Sequence, residues 1–191
     1  MKCGGKNILG AAIVFTLVFG GCAKQSNQAG PGSALLGSVS GTAAGMKWSV
    51  PKRWTDQGQR TMRVASYAVP VAEGDTQMGE CGVFYFGGGQ GGSVEDNIQR
   101  WVGQFETNIP PSRSQKEVNG IKVTLVQIAG TYLAPGGPMM QSTGSKENFR
   151  LLGAIAEAPQ GVVFFKFTGP AKTVAAAEEE FNELVGSFAK M

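Results

Sequence analysis

The dipeptide Asn119-Gly120 lies between two short strand-like segments and constrains the fold more than any other part of the sequence. Asn-Gly is typical of the two-residue turn that joins adjacent antiparallel strands, because both residues tolerate positive φ. The sequence therefore predicts a β-hairpin in which Glu117 faces Lys122 across the strand pair.

A second hairpin is predicted around Gln160-Gly161, between two segments rich in apolar residues. In the expected register Ala154 faces Phe167, so that small side chains lie opposite large ones in a packed layer. The same register makes Glu157 and Lys166 diagonal neighbours, and we interpret them as an exposed ion pair of small energetic weight.

Two amphipathic helices complete the predicted elements. The first begins at Ser93, which with Asp96 has the spacing of a capping box. The second lies between Val174 and Phe188, where apolar residues recur on one face. Strands are also expected over 47–50, 61–69 and 81–86. Hairpin-linked strands with helices between them predict an α+β fold, an antiparallel sheet of about six to seven strands with two packed helices.

Composition excludes several function classes. The chain of 191 residues has no His, which excludes Ser-His-Asp and Cys-His nucleophile systems and the HExxH zinc helix. Its 17 basic and 14 acidic residues nearly balance, and this gives no electrostatic footprint for nucleic acid. No two carboxylates cluster convincingly for acid-base chemistry. We therefore expect no catalytic residue, cofactor, metal or nucleic-acid partner.

The N-terminus has the anatomy of a secretory signal peptide. Lys2 and Lys6 make its start basic, residues 8–19 form an uncharged apolar run, and Gly20-Gly21 precede Cys22. The run is shorter than the roughly 20 residues that a membrane-spanning helix needs. A Cys directly after two small residues resembles the bacterial lipoprotein signal, in which the thiol receives a diacylglycerol and the peptide is cut before it.

This resemblance implies that residues 1–21 are a removable signal and that Cys22 carries an acyl anchor, which would make membrane attachment permanent. The sequence departs from the lipoprotein pattern at Phe19, where Leu is usual. Plain secretion and an uncleaved anchor remain as alternatives. Ala23 after the Cys favours the outer membrane, so we expect a lipid-anchored envelope protein facing the periplasm.

The chain beyond the signal divides into two parts. Residues 22–45 are rich in Gly, Ser and Ala and lack periodicity, which predicts a lipid anchor with a flexible tether. Residues 46–191 are predicted to form a single α+β domain. Within it, Cys81 lacks a disulfide partner and lies in an apolar run, which is typical of a buried structural thiol.

Two motifs in this domain resemble PsbP-like domains. The stretch from Trp48 through Pro51 to Trp54 is similar to their opening strand, and Phe164 to Phe188 is similar to their last strand and helix. That fold serves in photosystem II extrinsic protein P, in a Ran-binding Mog-type protein and in small bacterial lipoproteins. The resemblance implies a PsbP-like fold and a non-enzymatic role, with an envelope protein as the expected partner.

A glycine-rich loop over 87–92 leads into the first helix and formally matches GxGxxG. Its backbone amides could contact an anion through Gly89, Gly91, Gly92 and Ser93. The next strands form a hairpin rather than a parallel crossover, however, and no acidic residue follows at the ribose-binding distance of about 20 residues. We therefore predict a connecting loop and no nucleotide binding.

A second long loop is predicted over 134–147, with Met139 and Met140 as possible partner contacts. Two functions follow from these features. The first is a non-catalytic interaction or accessory module of the envelope. The alternative is a small-ligand-binding protein or enzyme with a cleft between loops 87–92 and 134–147, and a deep polar pocket there would favour it.

Overall fold

The computed structural model describes residues 39–134 and 144–191. Their strands are β1 (Ser40–Ala43), β2 (Met46–Ser49), β3 (Thr55–Asp56), β4 (Ala65–Val69), β5 (Gly79–Phe84), β6 (Phe105–Glu106), β7 (Ser112–Val118), β8 (Ile121–Leu133), β9 (Ser145–Ala158), β10 (Gly161–Pro170) and β11 (Ala189–Lys190). Their helices are α1 (Val94–Val102), α2 (Ala171–Ala176) and α3 (Glu178–Gly186).

Eight of these strands form one antiparallel sheet in the order β3-β4-β5-β10-β9-β8-β6, with β7 also paired to β8. The remaining strands form a small sheet in the order β1-β2-β11. The α+β class with an antiparallel sheet is therefore confirmed. The main sheet has more strands than expected because β3 and β6 are two residues long and carry no sequence periodicity.

The domain begins earlier than the predicted boundary at residue 46. Strand β1 lies inside the segment 22–45 and pairs with β2, with Ser40 opposite Ser49. Gly41 packs beneath the Trp48 ring, since a Cβ there would lie 2.2 Å from Trp48 Cζ2. Small residues without periodicity therefore form a strand here because a neighbouring aromatic ring covers them.

The hairpin at Asn119-Gly120 is confirmed, with Glu117 opposite Lys122. Asn119 has φ 49° and Gly120 has φ 76°, the left-handed region that this turn requires.

The register predicted for the β9–β10 hairpin is wrong by two residues. Ala154 lies opposite Phe165 rather than Phe167, because Gly161 pairs with Ala158 as a strand residue and the turn falls one position earlier. An even shift keeps each side chain on its predicted face, so small residues still pack against large ones.

The expected ion pair between Glu157 and Lys166 does not form. Glu157 Oε1 instead lies 3.1 Å from Lys122 Nζ on the neighbouring strand β8. Lys166 lies four positions beyond the partner of Glu157, Val162, and its amine bonds elsewhere. The error follows directly from the shifted register.

Each face of the main sheet carries a hydrophobic core. One face packs against α2, α3 and the small sheet, and includes Trp48, Cys81 and Phe181. The other face packs against α1 through Ile98 and Trp101. Cys81 is fully buried and free, as predicted, and burial raises the pKa of its thiol well above the usual range.

The helices differ from expectation in one respect. The capping box is confirmed, because the Asp96 amide donates to Ser93 Oγ at 3.0 Å and the Ser93 amide donates to Asp96 Oδ2 at 3.2 Å. The predicted C-terminal helix is divided into α2 and α3 at Ala177, where φ is −108° and ψ is 8°.

The strand predicted over 61–69 is shorter in the structure, because β4 begins only at Ala65.

Several sequence-based predictions lie outside the described residues. These are the signal segment 1–21, Cys22, the tether up to residue 38, and the part of the predicted loop over 135–143 with Met139 and Met140. Within residues 39–134 and 144–191, no helix has the length and apolar character needed to cross a membrane.

Candidate ligand pocket

A cavity of about 370 Å³ lies between α1 and the adjacent face of the main sheet. Its apolar lining comes from Met78, Phe84, Phe86, Trp101, Phe149 and Phe164. Its polar lining comes from Arg63, Gln77, Glu80, Asn97, Arg100, Gln104, Tyr132, Lys146, Lys166 and Thr168. Aromatic walls with a few convergent polar groups are typical of small-molecule sites.

The floor of the cavity is a row of residues across three strands. Lys166 on β10 has Gly82 of β5 on one side and Gly153 of β9 on the other. A Cβ at Gly153 would lie 2.3 Å from Trp101 Cζ3, and one at Gly82 would lie 3.0 Å from Phe84 Cε2. The two glycines thus make room for aromatic rings on either side of the lysine.

The Lys166 amine has neutral partners. Nζ donates to Gln104 Oε1 and, at 3.5 Å, to the Tyr132 hydroxyl, and it lies 5.3 Å from the centroid of the Tyr132 ring. In the part of the chain that the structure describes, no carboxylate forms an ion pair with it. Burial, aided by the positive charge of Arg63 and opposed by Glu80, lowers the pKa of Lys166 to about 8.

The other charged groups make the pocket positive. Arg63, Arg100, Lys146 and Lys166 line it together with a single carboxylate, Glu80. That carboxylate already accepts from Arg63, and from Arg60 Nη1 at 3.4 Å. A concave surface with an excess of cations attracts anions and raises their local concentration.

Aromatic rings accompany these cations. The Arg63 guanidinium lies 5.4 Å from the centroid of the Phe84 ring, and Lys146 Nζ lies 5.4 Å from that of Phe149. Lys146 Nζ also donates to Gln77 Oε1 at 3.1 Å. The site therefore presents positive charge beside flat apolar surfaces.

Thr168 adds a hydroxyl group to the same strand face as Lys166. Its Oγ1 is buried and has no hydrogen-bond partner among the described residues. Buried hydroxyl groups normally have a partner, so Thr168 Oγ1 is an exception among the described residues. Thr168 lines the cavity two residues beyond Lys166.

The glycine-rich loop does not itself line the pocket. Gly89, Gly91 and Gly92 have φ of 72°, 95° and 80°, and their neighbours Phe86 and Asn97 reach the cavity instead. Ser93 uses its amide and hydroxyl groups in the helix cap. The Ser93 amide at the start of α1 is thus bonded to a carboxylate of its own chain.

Asn97 ties this loop to α1, because its side-chain amide donates to Gly91 O at 2.8 Å and to Ser93 O at 2.9 Å. Of the two loops predicted to flank a cleft, loop 87–92 does not line the cavity, and most of loop 134–147 lies outside the described residues. Lys146, within the predicted loop 134–147, lines the cavity, although strand β9 already begins at Ser145.

Sequence reasoning missed Lys166 as a site residue, although a signal was present. Lys166 lies two residues after Phe164 on β10. Strand periodicity therefore puts the two side chains on the same face, and Phe164 is buried. A lysine between apolar residues on an inward face indicates either a solvent opening or a cavity. Because the sequence analysis assigned Lys166 to a surface ion pair with Glu157, it did not consider a cavity beside this lysine.

The fold and the pocket together define an antiparallel α+β domain with a basic, aromatic-lined cavity. Comparison of the chain with models of known protein families finds no match, and comparison with curated proteins finds no relative.

Proposed function

We propose that this domain binds a small amphipathic anion, a carboxylate or phosphate with an aromatic or short apolar body. The observation that carries the proposal is the Lys166 amine on the floor of an aromatic-lined cavity, with no carboxylate partner among the described residues. Enclosing a charged amine without a counter-charge is costly. A ligand anion would supply that counter-charge.

The size of the cavity limits the ligand. Its volume of about 370 Å³ is near the lower end of the range of about 300–1,000 Å³ for small-molecule sites. The rings of Phe84, Trp101 and Phe164 offer flat apolar contacts. These contacts favour a compact, flat ligand over a long acyl chain.

We also propose that the chain is an envelope lipoprotein, anchored through Cys22, most simply in the outer membrane and facing the periplasm. The basic start, the apolar run over 8–19 and the small residues before Cys22 support this proposal. We propose in addition that the domain has a PsbP-like fold. The stretch from Trp48 to Trp54 supports this assignment. In this setting the domain acts without catalysis, as a ligand-binding accessory module.

Calorimetric titration of the chain from residue 22, with Cys22→Ser to avoid lipidation, tests the binding function. The matched probes are 2-naphthoate and its neutral amide, which differ in charge and not in shape. We expect the acid to bind about tenfold or more tightly than the amide, the advantage of a charge-assisted hydrogen bond.

Two variants locate the effect. Lys166→Met should remove the preference for the acid, whereas Lys122→Met, which changes an exposed lysine of the same sheet, should retain it. Equal affinities for acid and amide, or a preference that survives Lys166→Met, would refute the proposed site.

A further inference from the structure

We propose that Lys166 is a carbonyl-reactive amine and that the pocket captures small aldehydes bearing an anionic group as imines. The proposal rests on the proposed function for its preference for anions, while the covalent step depends on Lys166 itself. Nothing in the sequence pattern around Lys166 indicates such a role.

The first argument is access. Lys166 Nζ lies in a cavity rather than in a packed core, and neutral side chains hold it in place. A salt bridge would tie up the amine as an ammonium ion, but among the described residues none involves Lys166. An aldehyde carbon in the cavity can therefore approach the nitrogen.

The second argument is the protonation state, since only the neutral amine is a nucleophile. An ordinary lysine with a pKa near 10.4 is almost wholly protonated at neutral pH. Burial and the positive charge of Arg63 lower the pKa of Lys166 to about 8. A desolvated amine near a second cation is an established way to activate a lysine.

Charged and titratable groups surround the amine from several elements. Arg63 precedes β4, Glu80 lies on β5, Arg100 on α1, Tyr132 on β8 and Lys146 on β9. The carboxylate of Glu80 is shared by Arg60 and Arg63, and its charge only partly offsets the lowering of the Lys166 pKa. The remaining neighbours are cations, which disfavour an ammonium ion, and the phenol of Tyr132, whose hydroxyl accepts from Nζ.

The reaction balances without any oxidant or reductant. The nitrogen lone pair forms a C–N bond to the carbonyl carbon, and the C=O π pair moves to oxygen, which gains a proton from nitrogen. The resulting carbinolamine then loses its hydroxyl group and the second N–H proton as water, which leaves the C=N bond.

Tyr132 is placed to serve as the proton donor for this loss of water. Its hydroxyl lies 3.5 Å from Lys166 Nζ, and the departing oxygen of the carbinolamine would be two bonds from that nitrogen. Burial raises the pKa of Tyr132, so the phenol keeps its proton at neutral pH. It can give that proton to the hydroxyl group and regain one from nitrogen.

Reductive trapping tests the proposal on the chain from residue 22 with Cys22→Ser. The matched probes are 4-carboxybenzaldehyde and 4-formylbenzamide at limiting concentration with cyanoborohydride, followed by peptide mass mapping. We expect Lys166 to carry roughly tenfold or more label than the exposed Lys146 of the same pocket, because the lowered pKa of Lys166 enlarges its neutral fraction. Its labelling rate should rise with pH through a midpoint near 8.

Failures of the two proposals are distinguishable. Equal labelling of Lys166 by both aldehydes supports the reactive amine and overturns the preference for anions. Label spread over the lysines according to their exposure overturns the reactive amine, even where 2-naphthoate binds as proposed.

Tyr132→Phe tests the proton donor without removing the ring that packs beside Phe149. The rate of imine trapping at saturating aldehyde should fall by about tenfold or more, since general acid catalysis contributes at least that factor. An unchanged rate would overturn the role of Tyr132.

Discussion

At the residue scale, the pocket depends on two glycines, which have no side chain. Gly82 and Gly153 flank Lys166, and the space that their Cβ atoms would occupy is taken by the rings of Phe84 and Trp101. Trp101 thereby brings α1 close to the sheet while the lysine keeps an open volume beside it. The glycines are thus part of the site although they offer no functional group.

Gly153→Ala should destabilise the domain by about 1–3 kcal/mol, the usual result of overpacking, because the new methyl group would lie 2.3 Å from Trp101 Cζ3. Gly186→Ala is the matched control. Nothing lies within 4 Å of a Cβ there, and alanine favours the helix, so stability should rise by up to about 1 kcal/mol. Urea unfolding of both variants measures the change in the free energy of unfolding. Equal changes in the two variants would contradict the overpacking at Gly153.

Lys166 also predicts a pH dependence of stability. Its pKa is about 8 in the folded chain and near 10.5 unfolded, so between these values the unfolded state binds more protons and stability rises with pH. Lys166→Met removes this linkage. The free energy of unfolding of Lys166→Met minus that of the wild type should therefore be greatest near pH 7. This difference should decline by about 1–3 kcal/mol towards pH 10, because the wild type gains stability as the pH rises.

Chemical denaturation of both proteins at several pH values measures this change. A constant difference between them would show that the amine titrates normally. Tyr67, whose pKa burial raises to about 12, retains its proton in the folded state across this window and is present in both proteins.

At the element scale, α1 forms one wall of the cavity and its start is fixed locally. Ser93 and Asp96 satisfy each other's backbone and side-chain groups, and Asn97 holds the preceding loop. The position of Trp101 and Arg100 above the sheet therefore depends on a cap two turns away.

Ser93→Ala should cost about 1 kcal/mol of stability because the Asp96 amide loses its acceptor. Ser114→Ala, at an exposed position of β7, should change stability by less than about 0.5 kcal/mol. Thermal unfolding compares the stabilities of the two variants. If Ser93→Ala were as stable as the wild type, water would replace the cap at no cost in free energy.

Local signals predicted most elements, because they are encoded in neighbouring residues. The turn at Asn119-Gly120 and the cap at Ser93 are of this kind. The register of β9 and β10 was not predictable in the same way, since a shift of two residues leaves the polarity pattern unchanged. That register places Gly153 beside Lys166, so this neighbour of the lysine could be identified only from the aligned strands.

At the scale of the whole molecule, one question is how the domain is attached to its surroundings. The two cores are complete within the described residues, and α2, α3 and the small sheet cover the face opposite the pocket. The proposed anchor lies before this domain in the chain, so acylation would leave the composition of the pocket unchanged.

Cys22→Ala should abolish incorporation of labelled palmitate and leave uncleaved precursor, because the proposed acceptor thiol is gone. Cys81→Ala should retain the label, since the Cys81 thiol is fully buried. Labelling in cells expressing each variant, followed by gel analysis, gives the answer. Palmitate still attached to Cys22→Ala would exclude the lipoprotein proposal.

The arrangement of the small sheet bears on how the domain responds to mechanical load. A membrane anchor would pull on β1 at Ser40, next to Ser49, where the chain leaves β2. Because both points lie at the same end of the hairpin, the force would open its hydrogen bonds one after another rather than all together. We expect a pulling experiment to show a small first extension as β1 peels away. The main sheet, with its cavity on the far face, would then unfold only at higher force.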